Sequence, residues 1–117
     1  MKMQDCLEGD IIIFTLSGKM MGGQDTTFFH GRIHEYLYLN KRNFVIDLNK
    51  VEWSDSSGLG MLISGLCSVR RAGGAMVLAN ITNIRNLLAI TRLLQVFECY
   101  DSLDDARSSL ILSLIHI

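Results

Sequence analysis

The sequence predicts an α/β fold with a single central mixed sheet of about five strands and about four helices, in the order β-β-α-β-α-β-α-β-α. Three observations carry this. Ile11-Ile12-Ile13-Phe14-Thr15-Leu16, Phe44-Val45-Ile46-Asp47-Leu48 and Ala75-Met76-Val77-Leu78-Ala79 are short apolar runs suited to strands buried on both faces. Segments with apolar residues at three- and four-residue spacing lie between and after them. Strands alternating with helices favour a layered fold whose central strands are largely parallel.

In chain order, Met3 to Leu7 leads into the turn signal Glu8-Gly9-Asp10, so a hairpin feeds the first core strand, which Ser17-Gly18 closes. Gly22-Gly23 breaks local order, and a helix starts near Asp25 or Thr26 with Phe29, Ile33, Tyr36, Leu37 and Leu39 on its apolar face. Asn40-Lys41-Arg42-Asn43 is a polar connection to the second core strand. Leu59, Leu62, Ile63, Leu66 and Val69 mark the best-defined helix, ended by the basic pair Arg70-Arg71 and by Ala72-Gly73-Gly74. After the third core strand Thr82 is expected to cap a helix with Ile84, Leu87, Leu88 and Ile90 on its apolar side. Val96-Phe97 is read as a short edge strand. Asp101-Ser102-Leu103-Asp104-Asp105 opens the last helix, its acids placed to favour the positive end of the helix dipole.

A chain of 117 residues, 49% hydrophobic and 20% charged, fits one domain over residues 1–117. A net charge of −1 gives no electrostatic reason to expect nucleic acid or an anionic membrane as partner. Cys6, Cys67 and Cys99 are far apart and form no CxxC pair, which points to a reducing compartment, and Cys67 is expected as a small core residue. Met1 to Glu8 does not read as a signal peptide, so a cytoplasmic location is expected. The apolar tail Leu110 to Ile117 is too short to insert across a bilayer and reads either as the end of a packed helix or as an appended sequence.

The stretch richest in chemistry is Val51-Glu52-Trp53-Ser54-Asp55-Ser56-Ser57-Gly58-Leu59-Gly60, where a strand gives way to a helix. In a parallel α/β sheet, ligands and chemistry collect beyond the carboxyl ends of strands, and a helix N-terminus holds negative charge well. Gly58 and Gly60 strip side chains from the first turn, leaving room for another surface to approach. On spacing alone, ordinary N-capping by the Asp55-Ser56-Ser57 string outweighs any further role. A serine hydrolase using Ser56 or Ser57 lacks the G-x-S-x-G elbow, and no G-x-x-x-x-G-K-[ST] phosphate loop is present. His30 and His34 share a helical spacing, but no Glu follows His30 and no third ligand is evident, so no metal or other cofactor is expected. Trp53 is read as a core or shelf residue covering the sheet end.

The string Asp55-Ser56-Ser57-Gly58-Leu59-Gly60, after a strand of the form Val45-Ile46-Asp47-Leu48, resembles the signature of STAS domains, specifically bacterial anti-sigma factor antagonists. Phe14-Thr15-Leu16-Ser17-Gly18, Arg71-Ala72-Gly73-Gly74 and Leu87-Leu88-Ala89-Ile90-Thr91 resemble further family segments. The resemblance implies a STAS fold and a non-enzymatic partner switch. Ser56 would be the phosphoacceptor for an anti-sigma factor that is itself a serine kinase, which the unphosphorylated form binds, and a PP2C-type phosphatase would reset the switch. Asp55, Ser57, Gly58, Leu59 and Gly60 would form the acceptor corner and partner surface. Met20, Met21, Gly22, Gly23 and Asp25 would form a docking loop, although the family's Gly-x-Leu-Asp pattern reads here as Gly18-Lys19-Met20-Met21. Arg92 stands where the family often has glycine, and the family's proline before that helix is absent. Apolar surface at Met20-Met21 would serve a weak homodimer or a partner equally well. The rival within the same fold is an interaction or scaffold module of a stressosome-like or transporter-associated complex.

Overall fold

The computed structural model describes residues 1–115. Its elements follow the chain as β1 (Lys2–Glu8), β2 (Ile11–Met20), α1 (Gln24–Tyr38), β3 (Asn43–Ser54), α2 (Ser56–Arg71), β4 (Ala75–Ala79), α3 (Arg85–Ile90), β5 (Cys99–Tyr100) and α4 (Leu103–Ile115). One five-stranded sheet runs β1-β2-β3-β4-β5, with β1 antiparallel to β2 and the later pairings parallel. The expected α/β class, mixed sheet and element order are all present. No helix among the described residues is long and apolar enough to cross a membrane.

Strand order equals chain order from β2 onward, so right-handed crossovers place the connecting helices on one face of the sheet. Ile12, Phe14, Leu16, Phe44, Ile46 and Leu78 bury that face against Phe29 and Ile33 of α1, Leu62 and Leu66 of α2, and Leu88 of α3. The alternate residues Ile11, Ile13, Val45 and Val77 form a smaller core under Ala106 and Leu110 of α4. Period-two alternation with both faces apolar is why the strand runs lack a polar side. The β1 edge is tied down by Asp5. Arg32 of α1 donates from Nε to Asp5 Oδ2 at 3.0 Å and from Nη2 to Oδ1 at 2.6 Å, and the Tyr36 hydroxyl donates to Oδ1 at 2.5 Å.

Several local expectations change. β2 does not close at Ser17-Gly18. Gly18, at φ +90°, takes a backbone conformation few side chains tolerate and forms an irregularity through which the strand continues to Met20, paired with Ser54. β3 likewise runs on to Ser54, so both central strands end together at the corner. Thr82 makes no capping bond. Residues Thr82–Ile84 form a single 3-10 turn before α3, and Ile90 is exposed at its end. Leu39 lies beyond α1 and is exposed. Val96-Phe97 is not a strand. Left-handed Arg92 and a 3-10 turn at Leu93–Gln95 take up chain length, so the sheet edge is reached at β5, where Leu78 N donates to Glu98 O and Asn80 N to Tyr100 O, both at 2.9 Å. Cys67 is exposed, because α2 turns Gly58, Met61, Leu62, Gly65, Leu66 and Val69 inward and the residue after Leu66 falls about 100° away. In the tail, Leu110 is buried, while the expectation for residues 116 and 117 lies outside the described residues.

Candidate functional site: the corner between β3 and α2

Asp55 sits between β3 and α2 in extended backbone and is the N-cap of α2, its Oδ1 accepting the Gly58 N–H at 2.9 Å. A short acidic side chain at this position satisfies one of the N–H groups that a helix start leaves without an internal partner. Asp55 N donates to the Met20 carbonyl at 3.3 Å, and buried Ser54 donates from Oγ to the Asp55 carbonyl at 2.9 Å. The corner is therefore clamped to the end of β2 as well as to its own helix.

Ser56 and Ser57 occupy the first two helical positions, and both are exposed. Their hydroxyls stand at the positive end of α2, a 16-residue helix, with the backbone N–H groups of the first turn beside them. Among the described residues no hydrogen bond joins either serine to a histidine. What this arrangement offers is a negative-charge acceptor site on a rigid scaffold.

The two glycines behave differently. Gly58 is buried and admits no other surface: a Cβ there would lie 2.2 Å from the Met20 carbonyl oxygen and 2.6 Å from Ser54 Oγ. Its role is close packing of α2 on the strand ends, and its N–H is already taken by Asp55. Gly60 has open space around it. Leu59 is also buried in the main core. Gly58 and Leu59 are thus unavailable to a partner, and Asp55, Ser56, Ser57 and Gly60 make up the accessible part of the corner.

The expected docking loop divides in the same way. Met20 is 0% exposed, because the longer β2 carries its side chain into the core, whereas Met21 is 52% exposed. Gly22 (φ +78°) and Gly23 (φ +69°) make the bend into α1, and a Cβ on Gly22 would come within 3.0 Å of the Ser57 carbonyl oxygen, so this loop lies directly against the serines. Asp25 is in the first turn of α1, partly exposed. Sequence reasoning missed Lys19 as a neighbour of Trp53: the two pair across β2 and β3, and with Met21 they line a hollow of about 360 Å³. The signal for it was the run of both strands past their apolar cores. Trp53 is half-exposed, a shelf at the sheet end and no part of the core.

The histidine pair does not converge on a site. His34 is exposed, His30 keeps a buried Nε2 without a partner, and no cluster of three or more His, Cys, Asp or Glu among the described residues could hold a metal.

Among solved structures, a putative anti-sigma factor antagonist from Thermotoga maritima is similar over 92% of this chain and 92% of its own, at 21% identity and a TM-score of 0.81. The Bacillus cell fate determinant SpoIIAA in its phosphorylated form matches 93% of this chain and 99% of its own, at 13% identity and a TM-score of 0.73. A sulfate transporter family protein from Wolinella succinogenes matches 92% of this chain and 89% of its own, at 15% identity and a TM-score of 0.71. At such identities the likeness is one of fold. The STAS domain family profile matches residues 6–106, a segment that holds the sheet from mid-β1 onward, the clamp on Met20 and the capped corner at Asp55, and the chain belongs to that family.

Proposed function

We propose that this protein is an anti-sigma factor antagonist whose affinity for an anti-sigma factor kinase is switched by phosphorylation of Ser56. The observation that carries the reading is the exposure of Ser56 at the first position of α2, next to an N-cap that Asp55 already fills. A phosphoryl group here adds about −1.5 to −2 charges and three acceptor oxygens. The helix dipole and the free first-turn N–H groups favour that charge, while Asp55 opposes it. Because the Gly58 N–H is held by Asp55, phosphorylation need not dismantle the cap. It changes the charge and bulk of the corner and leaves the fold in place, which suits reversible release of a partner.

The unphosphorylated form binds the kinase through Ser56, Ser57 and Gly60, with Met21, Lys19 and the Trp53 shelf as the flanking apolar and cationic surface. A PP2C-type phosphatase restores that form. SpoIIAA, which shares this fold, has been solved in a phosphorylated form, which supports a switch of this kind. Incubation with the cognate kinase and ATP is expected to add the mass of one phosphoryl group to the peptide containing Ser56. Ser56→Ala is expected to abolish the addition, and Ser56→Asp to abolish kinase binding. Phosphorylation of Ser56→Ala sinks the choice of site; full kinase binding by Ser56→Asp sinks the charge mechanism.

The likeness to a sulfate transporter family protein favours a second reading, a transporter-associated or scaffold module in which Ser56 does not turn over. Under that reading, the kinase neither modifies nor binds the chain.

A further inference from the structure

We propose that the upper end of the α4 side of the sheet, built by Lys2, Lys19, Lys50, Met21 and Trp53, docks an acidic segment of a partner protein that carries one large apolar side chain. The proposal rests on the reading of the corner as a partner surface, whose flank it extends across the sheet and assigns to a chemistry.

The surface is made by strand register. Along β2, Ile12, Phe14, Leu16 and Met20 face the main core and Ile11 and Ile13 the α4 side, so Ser17 and Lys19 belong to the α4 side. Residues paired across neighbouring strands share a face. Lys2 and Lys50 both pair with Ser17, and Trp53 pairs with Lys19. Relative to β2, β3 spends one extra residue between Asp47 and Lys50 and another between Val51 and Trp53. Regular alternation would carry Lys50 to the face of Leu48 and Trp53 to that of Val51, both in the main core. The two irregularities turn them out instead, a use to which bulges are commonly put beside binding sites. α4 covers Ile11, Ile13, Val45 and Val77 lower on this face, while Lys2, Lys19, Lys50 and Trp53 are all exposed.

Three of the four lysines of the chain therefore meet on one patch. None of the three forms an ion pair among the described residues, whereas the fourth, Lys41, is 3.1 Å from Asp10. Asp47, one row below, already accepts from Asn49 N at 3.1 Å and from Asn80 Nδ2 at 3.0 Å, and Glu52, the extra residue beside Trp53, pairs with no lysine. Strands about 4.8 Å apart and side-chain rows about 6.7 Å apart place the three lysine Cα atoms about 8–10 Å from one another. That is close to the Debye length of about 8 Å at physiological salt, so the three charges act together on an anion.

Shape and charge select the occupant. Lys19, Met21 and Trp53 line a hollow of about 360 Å³, room for one aromatic or large aliphatic side chain against the indole. A membrane is engaged by apolar groups that project, and here they are concave. A long polyanion would also meet the remainder of a chain whose net charge is −1. Phosphate groups are gripped best by the two-pronged guanidinium, and all seven arginines lie outside β1, β2 and β3. An acidic segment satisfies both halves of the patch, its carboxylates on the lysines and its apolar side chain in the hollow.

Trp53 is the only tryptophan, so its fluorescence reports on this hollow. Titration of the full chain with the peptide acetyl-Asp-Glu-Phe-Glu-Asp-amide at low salt is expected to change Trp53 emission saturably in the millimolar range or below. The counterpart with Asn and Gln in place of the acids is expected to bind at least about tenfold more weakly. Lys2→Glu and Lys50→Glu are each expected to weaken the acidic peptide by about threefold or more, and added salt to weaken it further. Lys50→Gln, which removes a charge without adding one, keeps the test open should the reversal disturb β3. No saturable change with the acidic peptide, equal binding of its amide counterpart, or unchanged binding by the lysine variants overturns the proposal. So does a response to ATP, or to vesicles of phosphatidylcholine and phosphatidylglycerol in equal parts, that the peptide does not give, which would make the occupant a nucleotide or a membrane. The titration involves neither a kinase nor Ser56, so its failure leaves the Ser56 switch standing, and failure of Ser56 to accept phosphate leaves the titration standing.

Discussion

Gly58→Ala is the sharpest probe of how the corner is built. A methyl group there lies 2.2 Å from the Met20 carbonyl oxygen and 2.8 Å from its carbon, both backbone atoms at the end of a central strand. Relief by side-chain rotation is therefore closed, and the first turn of α2 must retreat by about 1 Å to bring carbon and oxygen to an ordinary contact of about 3.3 Å. That retreat loosens the bond from Asp55 N to the Met20 carbonyl, 3.3 Å in the native chain, and opens space under buried Leu59. Overpacking of this kind costs about 1–3 kcal/mol, and a weakened backbone bond about 1 kcal/mol. The better helix propensity of alanine returns about 1 kcal/mol. The expected net loss is about 2 kcal/mol, read as a lower urea midpoint at 25 °C and a melting temperature lower by about 8 °C. Gly60→Ala, two residues on in the same helix with nothing within 4 Å of its Cβ, is the internal control and is expected to gain about 0.5–1 kcal/mol. If Gly58→Ala is as stable as the wild type, or follows Gly60→Ala upward, the account of Gly58 as a packing residue is wrong.

Two further substitutions test the scaffold that carries the corner. Arg92 holds a left-handed backbone at φ +62°, so Arg92→Gly is expected to raise stability by about 0.5–1 kcal/mol in urea titration; a loss would show that the side chain contributes more than the strain costs. Asp5 gives a pH signature. Hydrogen bonding from Arg32, aided by Tyr36 and opposed by partial burial, holds the Asp5 carboxyl below its usual range. A depressed folded-state value means that the stabilisation is complete above the ordinary carboxylate pKa of about 3.9 and is lost as pH falls through the folded-state value. Asp5→Asn is expected to cost about 1–2 kcal/mol at pH 7 and to flatten the acid limb of a stability–pH curve below about pH 5. An acid limb as steep as the wild type's would show that the pair with Arg32 does not set it.

Capping by Asp55 and the proposed switch at Ser56 would not compete at the corner. A capped helix start keeps its first turn in place, and an acceptor hydroxyl on that turn is presented in one orientation to whatever approaches. The cap uses the Asp55 carboxylate and the Gly58 N–H, whereas the proposed switch uses the hydroxyl of Ser56 and the exposed groups around it. The same short string has room for both because the Asp55 carboxylate is turned back to the Gly58 N–H while Ser56 is exposed.

Much of this protein was legible in its sequence, because the deciding physics is local. Apolar runs of Ile11 to Leu16, Phe44 to Leu48 and Ala75 to Ala79 are too short for helices and too uniformly apolar for one-faced strands, so they specify a sheet covered on both sides. The Asp-Ser-Ser-Gly order specifies a capped helix start, and the capping bond is there. What sequence left undecided depended on neighbours from distant elements. Periodicity of side chains says nothing about how far two strands run together, so the extension of β2 and β3 to Met20 and Ser54, and with it the burial of Met20, came only from their pairing. A glycine in a sequence is an absence, and only the Met20 carbonyl pressed against Gly58, set beside the empty space around Gly60, separates a packing requirement from an open surface. Cys67 fell outside the core because glycines at 58 and 65 let the strand ends and α1 take up the inward arc of α2, a choice made by contact and not by hydropathy.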